Sequence, residues 1–464
     1  MSIKIDFIGA VRTVTGSMHL ISNGEYKFLI DCGLFQGHRR EFYEINSHFP
    51  FDPAEIDACV LSHAHIDHSG NIPNLVKNGF DSRILTTDAT RDLCKSMLPD
   101  SGHIQEEDIK YLNKKRKKKG EPPREPLYTQ EDAENSLRFF SGHPYEQQIS
   151  LGGENSVTFY DAGHVLGSST PLLEIEGDGG KVRIGYAVDL GRENIPILND
   201  PVTPPDMDYL FLESTYGGRL HADPSETRST LADIINRTVS RGGKIIIPSF
   251  ALERTQEIVY HLNDLFNDQM VPKIPVIVDS PLAVNLTEVF FNHPECYDEE
   301  MYEAFKNGRD PLGARHVRYI KDVEESKALH RDPDPKIIIS ASGMCEAGRI
   351  LHHLKNNIED KRNTVLIVGF MARNTLGRRI AEKHEKVKIF GKQYRLNAEV
   401  EIMNSFSAHA DRDGLHQYVK PLKDSLKGIF LVHGEESQSE QLYHLLKNDG
   451  YPVHFPYPGD SIEI

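Results

Sequence analysis

The sequence predicts an α/β protein with more than one domain. Its 464 residues exceed the roughly 250–300 residues at which a single hydrophobic core stops growing. Short apolar runs between turn residues predict many strands in the first part of the chain, and strands alternate with amphipathic helices in the middle part. Hydrophobic residues at 38% and charged residues at 26% are typical of globular proteins and exclude a disordered or collagen-like chain.

The first region, residues 1–205, is predicted to be rich in strands. Its apolar runs are bounded by turn residues, and several end on a polar residue that would project from the edge of a sheet. The region ends at a proline-rich segment, NDPVTPPD at residues 199–206, after which the pattern changes. The predicted strands are 3–8, 18–22, 27–31, 58–61, 83–86, 156–162, 170–175 and 181–188.

The second region, residues 206–396, repeats a unit of strand, loop and amphipathic helix. Three strands, in KIIIPSF, KIIISAS and TVLIVGF, precede predicted helices at 251–266, 345–355 and 375–383. This alternation is typical of a parallel sheet covered by helices. Residues 397–464 again predict short strands, at 399–404 and 428–432, and a helix at 437–449.

The charge balance restricts the partners that the protein can have. With 53 Lys and Arg against 69 Asp and Glu, the net charge is −16, which argues against sequence-independent adhesion to nucleic acid or to an anionic membrane. The five cysteines have no CxxC spacing, and the chain start lacks the apolar run of a secretory signal. We therefore expect reduced thiols, a cytoplasmic location and no membrane partner.

One segment departs from the acidic average. Residues 114–119, KKRKKK, are consecutive basic residues followed by the proline-rich stretch GEPPREP. Such a run is typical of a solvated, mobile surface segment. The alternative is an arm that touches an anionic substrate, and the sequence leaves both interpretations open.

The strongest functional signal is SHAHIDH, residues 62–68, directly after a predicted strand. A turn there can direct His63 and His65 to one metal ion, while Asp67 and His68 reach a second. Two further candidates stand at strand ends, namely His164 in DAGHVLGS and Asp189 in YAVDLG. Imidazole and carboxylate form the ligand set that zinc accepts, so the pattern predicts a zinc site.

These residues, with Asp31 in LIDCG ahead of them, follow an order that resembles the metallo-β-lactamase superfamily, whose fold is an αββα sandwich with a dinuclear metal site at one sheet edge. Further motifs resemble its β-CASP branch of RNA-processing nucleases, similar to the nuclease subunit of the cleavage and polyadenylation specificity factor. The resemblance extends from GAVRTVTGS at residues 9–17 to HGE at 433–435. The motifs are SHAHIDHSG, DAGHVLGS, ESTYG, SASGMCEAGR, FSAHAD and VHGE.

The resemblance implies two Zn²⁺ ions and a role for each matching residue. Asp31 would orient ligands, as metal-bound imidazoles generally require. Glu213 and His409 would pair beside the metals and act in catalysis together with Asp67. One zinc would be held by His63, His65, His164 and bridging Asp189, and the other by Asp67, His68, Asp189 and His433.

A histidine at position 433 also implies a substrate and a topology. In the related branch it is typical of enzymes that act on RNA rather than DNA. Because His433 must meet ligands from residues 63–68, the C-terminal segment is expected to return to the first domain. The implied fold is a metallo-β-lactamase sandwich, residues 1–205 and 397–464, with an inserted parallel α/β β-CASP domain, residues 206–396.

The inserted domain contains two candidate sites for RNA phosphate. In SASGMCEAGR, a glycine-rich turn with Ser342, Gly343 and Arg349 precedes a helix predicted to begin near Cys345, where free N–H groups and the helix dipole favour an anion. The second element, GFMARNTLGRR, departs from the related pattern because Asn374-Thr375 replaces the usual Gly-Thr pair. Its basic residues are Arg373, Arg378 and Arg379.

The function expected from these features is zinc-dependent, mainly endonucleolytic hydrolysis of single-stranded RNA that leaves 3′-hydroxyl and 5′-phosphate ends. A small-molecule hydrolase of the lactonase or glyoxalase kind would share the HxHxDH element but would need neither the inserted domain nor a Glu213–His409 pair. A catalytically silent RNA-binding scaffold would be degenerate at the ligand positions, which are all filled here. The sequence leaves open the RNA sequence preference, 5′-to-3′ trimming and whether the protein is a homodimer.

Overall fold

The computed structural model describes residues 2–37, 39–221, 226–313, 316–369, 371 and 374–464. These residues form two compact units, and we describe each by itself. The first unit comprises Met1–Asn194, Asp200–Leu220 and His409–Ile464. The second unit comprises Ile195–Asn199 and His221–Ala408.

The strands of the described residues are numbered in chain order. Their bounds are β1 (Lys4–Gly9), β2 (Met18–Ser22), β3 (Lys27–Ile30), β4 (Ala58–Val60), β5 (Arg83–Thr87), β6 (Phe140–His143), β7 (Gln148–Gly152), β8 (Asn155–Asp161), β9 (Ser169–Gly177), β10 (Gly180–Ala187), β11 (Tyr209–Glu213), β12 (Ile245–Pro248), β13 (Val276–Val278), β14 (Val317–Tyr319), β15 (Ile337–Ser340), β16 (Thr364–Ile367), β17 (Lys386–Ile389), β18 (Lys392–Arg395), β19 (Glu399–Ile402), β20 (Gly428–Val432), β21 (Val453–His454) and β22 (Ser461–Glu463).

The helices are numbered in the same way. Among the residues that the structure describes, no helix combines the length and the apolar character needed to cross a membrane. The bounds are α1 (Arg39–Asn46), α2 (Ile66–Ser69), α3 (Ile72–Lys77), α4 (Asp88–Lys118), α5 (Gln130–Ser136), α6 (Thr227–Ser240), α7 (Arg254–Asn267), α8 (Pro281–Phe290), α9 (Glu299–Lys306), α10 (Val323–Ala328), α11 (Ile350–Asn357), α12 (Leu376–Ala381), α13 (Arg412–Val419) and α14 (Glu436–Asn448), with short 3-10 turns at Pro53–Glu55, Leu137–Phe139, Pro294–Cys296, Asn404–Phe406 and Lys420–Leu422.

Two seven-stranded sheets form the core of the first unit. Their strand orders are β22-β1-β2-β3-β4-β5-β6 and β21-β20-β11-β10-β9-β8-β7. In the second of these sheets, β10, β11, β20 and β21 run parallel, whereas β7 to β10 alternate in direction. Because β10, β11 and β20 are parallel neighbours, their carboxyl ends meet at the same edge of the sheet.

Apolar side chains from both sheets meet in one buried core, as in a β-sandwich. Phe7 of the first sheet lies 5.5 Å from Phe211 and 5.1 Å from Phe430 of the second sheet, measured between ring centroids. All three rings are no more than 1% exposed. The outer face of the second sheet is covered by a separate cluster that includes α13 and α14 residues such as Leu415 and Leu442. The protein therefore has the mixed α/β fold that the sequence predicted.

The second unit is built on a parallel six-stranded sheet with the order β14-β13-β15-β12-β16-β19. Its central strands β12, β15 and β16 are buried at every position, as expected for a sheet that is covered on both faces. The helix predicted to begin near Cys345 begins at Ile350, which corrects the sequence analysis. The residues before it form a turn in which Gly348 has a φ of +78°, a conformation that favours glycine.

The units exchange at residues 220/221 and 408/409, whereas the sequence analysis placed boundaries at 205 and 396. After the proline-rich segment, the chain first adds β11 to the sandwich between β10 and β20. At the other junction, β19 pairs with β16 and so belongs to the second unit. The first unit therefore includes Glu213 and His409.

Helix α4 is the longest helix described, with 31 residues. It contains most of the basic run, for which the sequence left open either a solvated surface segment or an arm that touches an anionic substrate. Arg116 donates to the carbonyl oxygen of Pro122 over 2.7 Å and pairs with Glu121 over 2.9 Å. Residues 114–118 thus form the end of a helix, and the lysines among them are exposed, as expected of a solvated surface segment.

We expect Phe211→Ala to destabilise the first unit by about 3–5 kcal/mol, because it removes a buried ring from the centre of the sandwich and leaves a cavity. Urea unfolding followed by circular dichroism measures this change. Leu220, which is 55% exposed, offers a control, and Leu220→Ala should change the free energy of unfolding by less than about 0.5 kcal/mol. Equal effects of the two substitutions would contradict the sandwich core.

Candidate metal centre

Strand ends place the polar side chains of the first unit at one edge of the sandwich. Asp189 follows β10, Glu213 is the last residue of β11, and His433 follows β20. The register pairs Ala187 with Leu212, and Glu213 with Val432, so these ends lie side by side. His164 follows β8, and the segment with His63 to His68 follows β4 of the other sheet. The predicted site residues of this unit therefore converge.

Seven side chains form two close groups at this edge. Within each group, the potential ligand atoms all lie within 4.8 Å of one another. A third such group joins Asp189, Glu213 and His433. The first group is His63, His65, His164 and Asp189, and the second group is Asp67, His68 and His433.

Asp189 lies between the two groups. Its Oδ2 atom is 3.4 Å from the Nε2 atoms of His63, His164 and His68. Its Oδ1 atom is 2.9 Å from Nδ1 of His433. The side chain is 2% exposed. One buried carboxylate thus contacts histidines of both groups, as a bridging ligand would.

The histidine nitrogens face one another at short distances. His63 Nε2 lies 3.1 Å from His65 Nδ1, and His68 Nε2 lies 3.3 Å from His433 Nε2. His164 is buried, and neither of its ring nitrogens has a hydrogen-bond partner among the described residues. Buried nitrogen donors that converge in this way, together with carboxylates, fit a cation such as zinc.

Burial and nearby charges shift the pKa values of the ligand candidates in different directions. Burial lowers the pKa of His65 to about 3 and holds the pKa of His164 well below its usual value, and neutral imidazole is the ligating form. Burial opposes ionisation of Asp189, but the nearby His433 and His409 outweigh it and lower the pKa of this carboxyl well below its usual range. Burial also opposes protonation of His433, yet Asp189 raises its pKa to about 10. This edge therefore favours positive charge.

Asp31 orients His68 from behind. Its Oδ2 atom is 2.7 Å from Nδ1 of His68, and it accepts a hydrogen bond from the Ser62 hydroxyl over 3.0 Å and one from the Ser17 hydroxyl over 3.2 Å. The Ser62 backbone N–H donates to Oδ1 over 2.8 Å. These contacts fix the ring so that Nε2 faces the other ligand candidates, as second partners of metal-bound histidines do.

Glu213 and His409 form the pair that the resemblance implied. Nδ1 of His409 lies 3.1 Å and 3.2 Å from the two carboxylate oxygens of Glu213, which also accepts the Leu190 N–H over 2.6 Å. Burial opposes the charged form of His409, but Glu213 and Asp189 outweigh it and raise its pKa. The His409 side chain is 21% exposed, whereas Glu213 is fully buried. A substrate can therefore reach the His409 ring, whose Nδ1 atom is held by the buried Glu213 carboxylate.

Two residues that were not predicted from the sequence hold the backbone of the site in place. The Ser168 hydroxyl accepts hydrogen bonds from the N–H groups of His164 and Val165, over 3.0 Å and 3.1 Å. A Cβ atom on Gly33 would lie 1.6 Å from the carbonyl oxygen of Asp67. The available signals were a glycine two residues after Asp31 and a serine after the HVLG turn, but both depend on contacts between distant segments.

The candidate phosphate residues lie in the second unit, and their contacts differ. The Arg349 guanidinium donates to the buried Asp279 carboxylate and to the Lys321 carbonyl oxygen, each over 2.6 Å. The Ser342 hydroxyl accepts the N–H of Glu346 over 3.1 Å. Arg349 is therefore occupied within the fold, contrary to the expectation that it binds phosphate.

The second predicted phosphate element shows a similar difference. The Glu346 carboxylate accepts the N–H of Leu376 over 2.6 Å and so takes an anion's place at the start of α12. Arg378 is exposed and pairs with Glu382 over 2.6 Å. Arg373 lies outside the described residues.

We expect Gly33→Ala to lower the metal content of the purified protein severalfold, because its Cβ would displace the Asp67 backbone and shift both Asp67 and His68. Atomic emission spectroscopy of the purified protein gives this value. A matched control is Gly179→Ala, since a Cβ at that position meets no atom within 4 Å. Unchanged metal content in the Gly33 variant would show that the close approach does not position the ligands.

Three family models match the chain. A metallo-β-lactamase superfamily model matches residues 11–165, a β-CASP domain model matches residues 255–380, and a model of the Zn-dependent metallo-hydrolase RNA specificity domain matches residues 393–456. The chain is also similar over its whole length to a structure of a protein of unknown function from Enterococcus faecalis, with 14% identity and a TM-score of 0.55. That likeness supports the fold alone.

Relatives of known name give the same assignment. A ribonuclease of Thermus thermophilus is 35% identical over 98% of this chain and 99% of its own length. The transcription termination factor FttA of Methanocaldococcus jannaschii is 29% identical over 100% of this chain and 72% of its own length, and that of Methanosarcina mazei is 28% identical over 94% and 67%. The ordered motifs, the converging histidines and these relatives agree, and the chain belongs to the β-CASP branch of the metallo-β-lactamase superfamily.

Proposed function

We propose that the protein is a zinc-dependent ribonuclease that hydrolyses phosphodiester bonds of single-stranded RNA. Cleavage is mainly internal and leaves 3′-hydroxyl and 5′-phosphate ends. The observation that carries this proposal is the pair of ligand groups, with Asp189 of the first group in contact with His68 and His433 of the second and the Glu213–His409 pair beside them. The relative named as a ribonuclease and the match to an RNA specificity domain support the choice of RNA as substrate.

Two Zn²⁺ ions fit the donor set. His63, His65, His164 and Asp189 would hold one ion, and Asp67, His68, Asp189 and His433 would hold the other. When bound, such a pair of ions acidifies water and stabilises the negative charge that develops in phosphodiester hydrolysis. Asp67 and Asp189 supply ionised carboxylate oxygens to the metal positions, and Asp31 keeps Nε2 of His68 turned towards the other ligand candidates.

His409 is proposed to hold the proton for the departing oxygen of the RNA. Its Nδ1 atom faces Glu213, and its side chain is 21% exposed, so that a substrate can approach the ring. Glu213 fixes the orientation of the ring and favours its protonated form. Because Glu213 is fully buried and accepts the Leu190 N–H, it is a positioning residue that acts through His409.

RNA phosphate contacts in the second unit remain part of the proposal. Ser342, Gly343 and Arg378 are retained as contacts of the RNA backbone, and Arg378 is exposed. Arg349 is reassigned to the fold because its guanidinium is held by Asp279. We also propose a cytoplasmic location, which the five buried free cysteines support.

We expect purified protein to cut a single-stranded RNA at internal positions, and a chelator to abolish the cutting, because the site requires its metal ions. RNA labelled at either end and resolved on a denaturing gel shows this directly. Readdition of zinc after dialysis serves as the control for irreversible damage. Intact RNA beside a hydrolysed lactone or thioester would instead support a small-molecule hydrolase, and intact but tightly bound RNA would support a scaffold.

We expect His409→Ala to lower the turnover rate by about 10²- to 10⁴-fold with the metal content unchanged, as for loss of a general acid. Single-turnover cleavage and atomic emission spectroscopy measure the two quantities. His416 on α13, which pairs with Asp449 over 2.7 Å, offers a control, and His416→Ala should leave the rate within about twofold. Loss of metal from the His409 variant would make His409 a ligand instead of a proton donor.

A further inference from the structure

We propose that the last turns of α4 bind single-stranded RNA at a distance from the metal centre. This α4 exosite consists of the four lysines 114, 117, 118 and 119 and of Tyr111. The inference rests on the proposed ribonuclease function, because it names how the substrate is captured. It also gives the basic run of residues 114–119 a role that the net charge of −16 alone would not indicate.

The lysines of the exosite form no ion pair among the described residues, although the hydrogen bond from Lys110 and the nearby charge of Lys114 both lower the pKa of the Glu107 carboxyl. Elsewhere on the outer half of α4, Lys110 pairs with Glu107 over 2.7 Å, and Arg116 pairs with Glu121 over 2.9 Å. Lys114, Lys117, Lys118 and Lys119 are exposed and have no ion pair among the described residues. In a chain of net charge −16, four adjacent unpaired lysines form a local positive patch.

Helix stability alone does not account for this run. One or two basic residues in the last turn favour a helix because they complement its dipole. Lys114 stands three and four positions before Lys117 and Lys118, however, and like charges at these spacings repel and destabilise a helix. The sequence thus retains charges that work against α4, which indicates a use outside the fold.

The lysines are presented on an ordered element. Asn113 donates its side-chain amide to the Arg124 carbonyl oxygen over 2.9 Å and accepts the Arg124 N–H over 2.9 Å. Arg116 donates to the Pro122 carbonyl oxygen over 2.7 Å. The chain after α4 therefore folds back on the helix and closes its end, so the positive patch has a defined shape.

An exposed aromatic ring favours single-stranded RNA over a membrane. Tyr111 is 55% exposed and lies one turn from the lysines, with the Lys115 ammonium 4.3 Å from its ring centroid. Proteins that bind single strands combine basic side chains with aromatic rings on which bases stack. Membrane association of a helix needs a broad apolar face, and the turns that carry Lys114 to Lys118 have none.

The geometry sets the length of RNA that can use the exosite. The first turn of α4 is next to the metal centre, because the Thr90 hydroxyl donates to the Gly167 carbonyl oxygen over 2.8 Å, three residues after His164. At 1.5 Å per residue, Lys118 lies at most about 42 Å from Thr90, and a bend at Pro99 inside α4 would shorten this distance. A stacked strand at roughly 3.4 Å per nucleotide covers this distance with about 12 nucleotides. An RNA much shorter than about 12 nucleotides can therefore contact either the metal centre or the α4 exosite, but not both.

The test compares two variants of equal charge. The exosite variant carries Lys114→Gln, Lys117→Gln, Lys118→Gln and Lys119→Gln, and the control carries Lys181→Gln, Lys420→Gln, Lys423→Gln and Lys427→Gln. Binding of oligouridylates of about 30 and about six nucleotides is measured by fluorescence anisotropy over a range of salt concentrations, in a His409→Ala background that prevents cleavage. Cleavage of both RNAs is measured without that background.

We expect the exosite variant to bind the longer RNA about 10- to 100-fold more weakly and to lose up to about 2.8 from the slope of log affinity against log salt, or about 0.7 for each phosphate contact. The shorter RNA and the control variant should be unaffected. Tyr111→Ala should weaken binding of the longer RNA severalfold while Tyr111→Phe, which keeps the ring, should not.

Several results would overturn the exosite. If both lysine variants lost RNA affinity equally, the effect would come from the net charge of the protein and not from the exosite. If the exosite variant kept its RNA affinity but lost binding to anionic phosphatidylserine vesicles, the patch would be a membrane-binding surface. The proposed function fails separately: if the unaltered chain cleaves neither RNA, the ribonuclease assignment falls, whereas a length-dependent loss of binding would still establish the exosite.

Discussion

The buried carboxylate of Asp189 is the constraint on which the first unit depends. A charge that is 2% exposed is costly unless partners surround it, and here histidines on four different segments do so. Those segments come from both sheets, so each sheet must end at the same edge for the charge to be satisfied. The sandwich core built on Phe7, Phe211 and Phe430 holds these ends together. The same strands therefore supply both the apolar side chains of the core and the ends from which the site residues project.

Local pattern was sufficient to predict much of this arrangement. The strand bounds at residues 18–22 and 428–432 agree with β2 and β20 because a short apolar run between turn residues defines a strand over a short window. The ligand candidates were identifiable because histidines and carboxylates recur directly after apolar runs. The rule that parallel neighbouring strands end at one edge accounts for the approach of Asp189, Glu213 and His433, whereas the family resemblance implied that the other ligand candidates join them.

What could not be predicted depends on contacts between distant segments. Nothing local distinguishes the hydroxyls of Ser17 and Ser62, which meet Asp31 only after folding. The proline-rich segment marks a loop, but the chain adds β11 to the sandwich before it enters the second unit, so the boundary at 205 fell too early. Arg349 carried the charge expected of a phosphate ligand, yet Asp279, seventy residues earlier, engages it.

The position of β20 has a consequence for the synthesis of the protein. His433 follows a strand that pairs with β11, and β22 near the C-terminus pairs with β1 near the N-terminus. During translation, an emerging chain therefore displays the histidines of residues 63–68 long before His409 and His433 leave the ribosome. The complete constellation therefore assembles only after residue 433 has been synthesised, and the nascent chain lacks part of its ligand set until then.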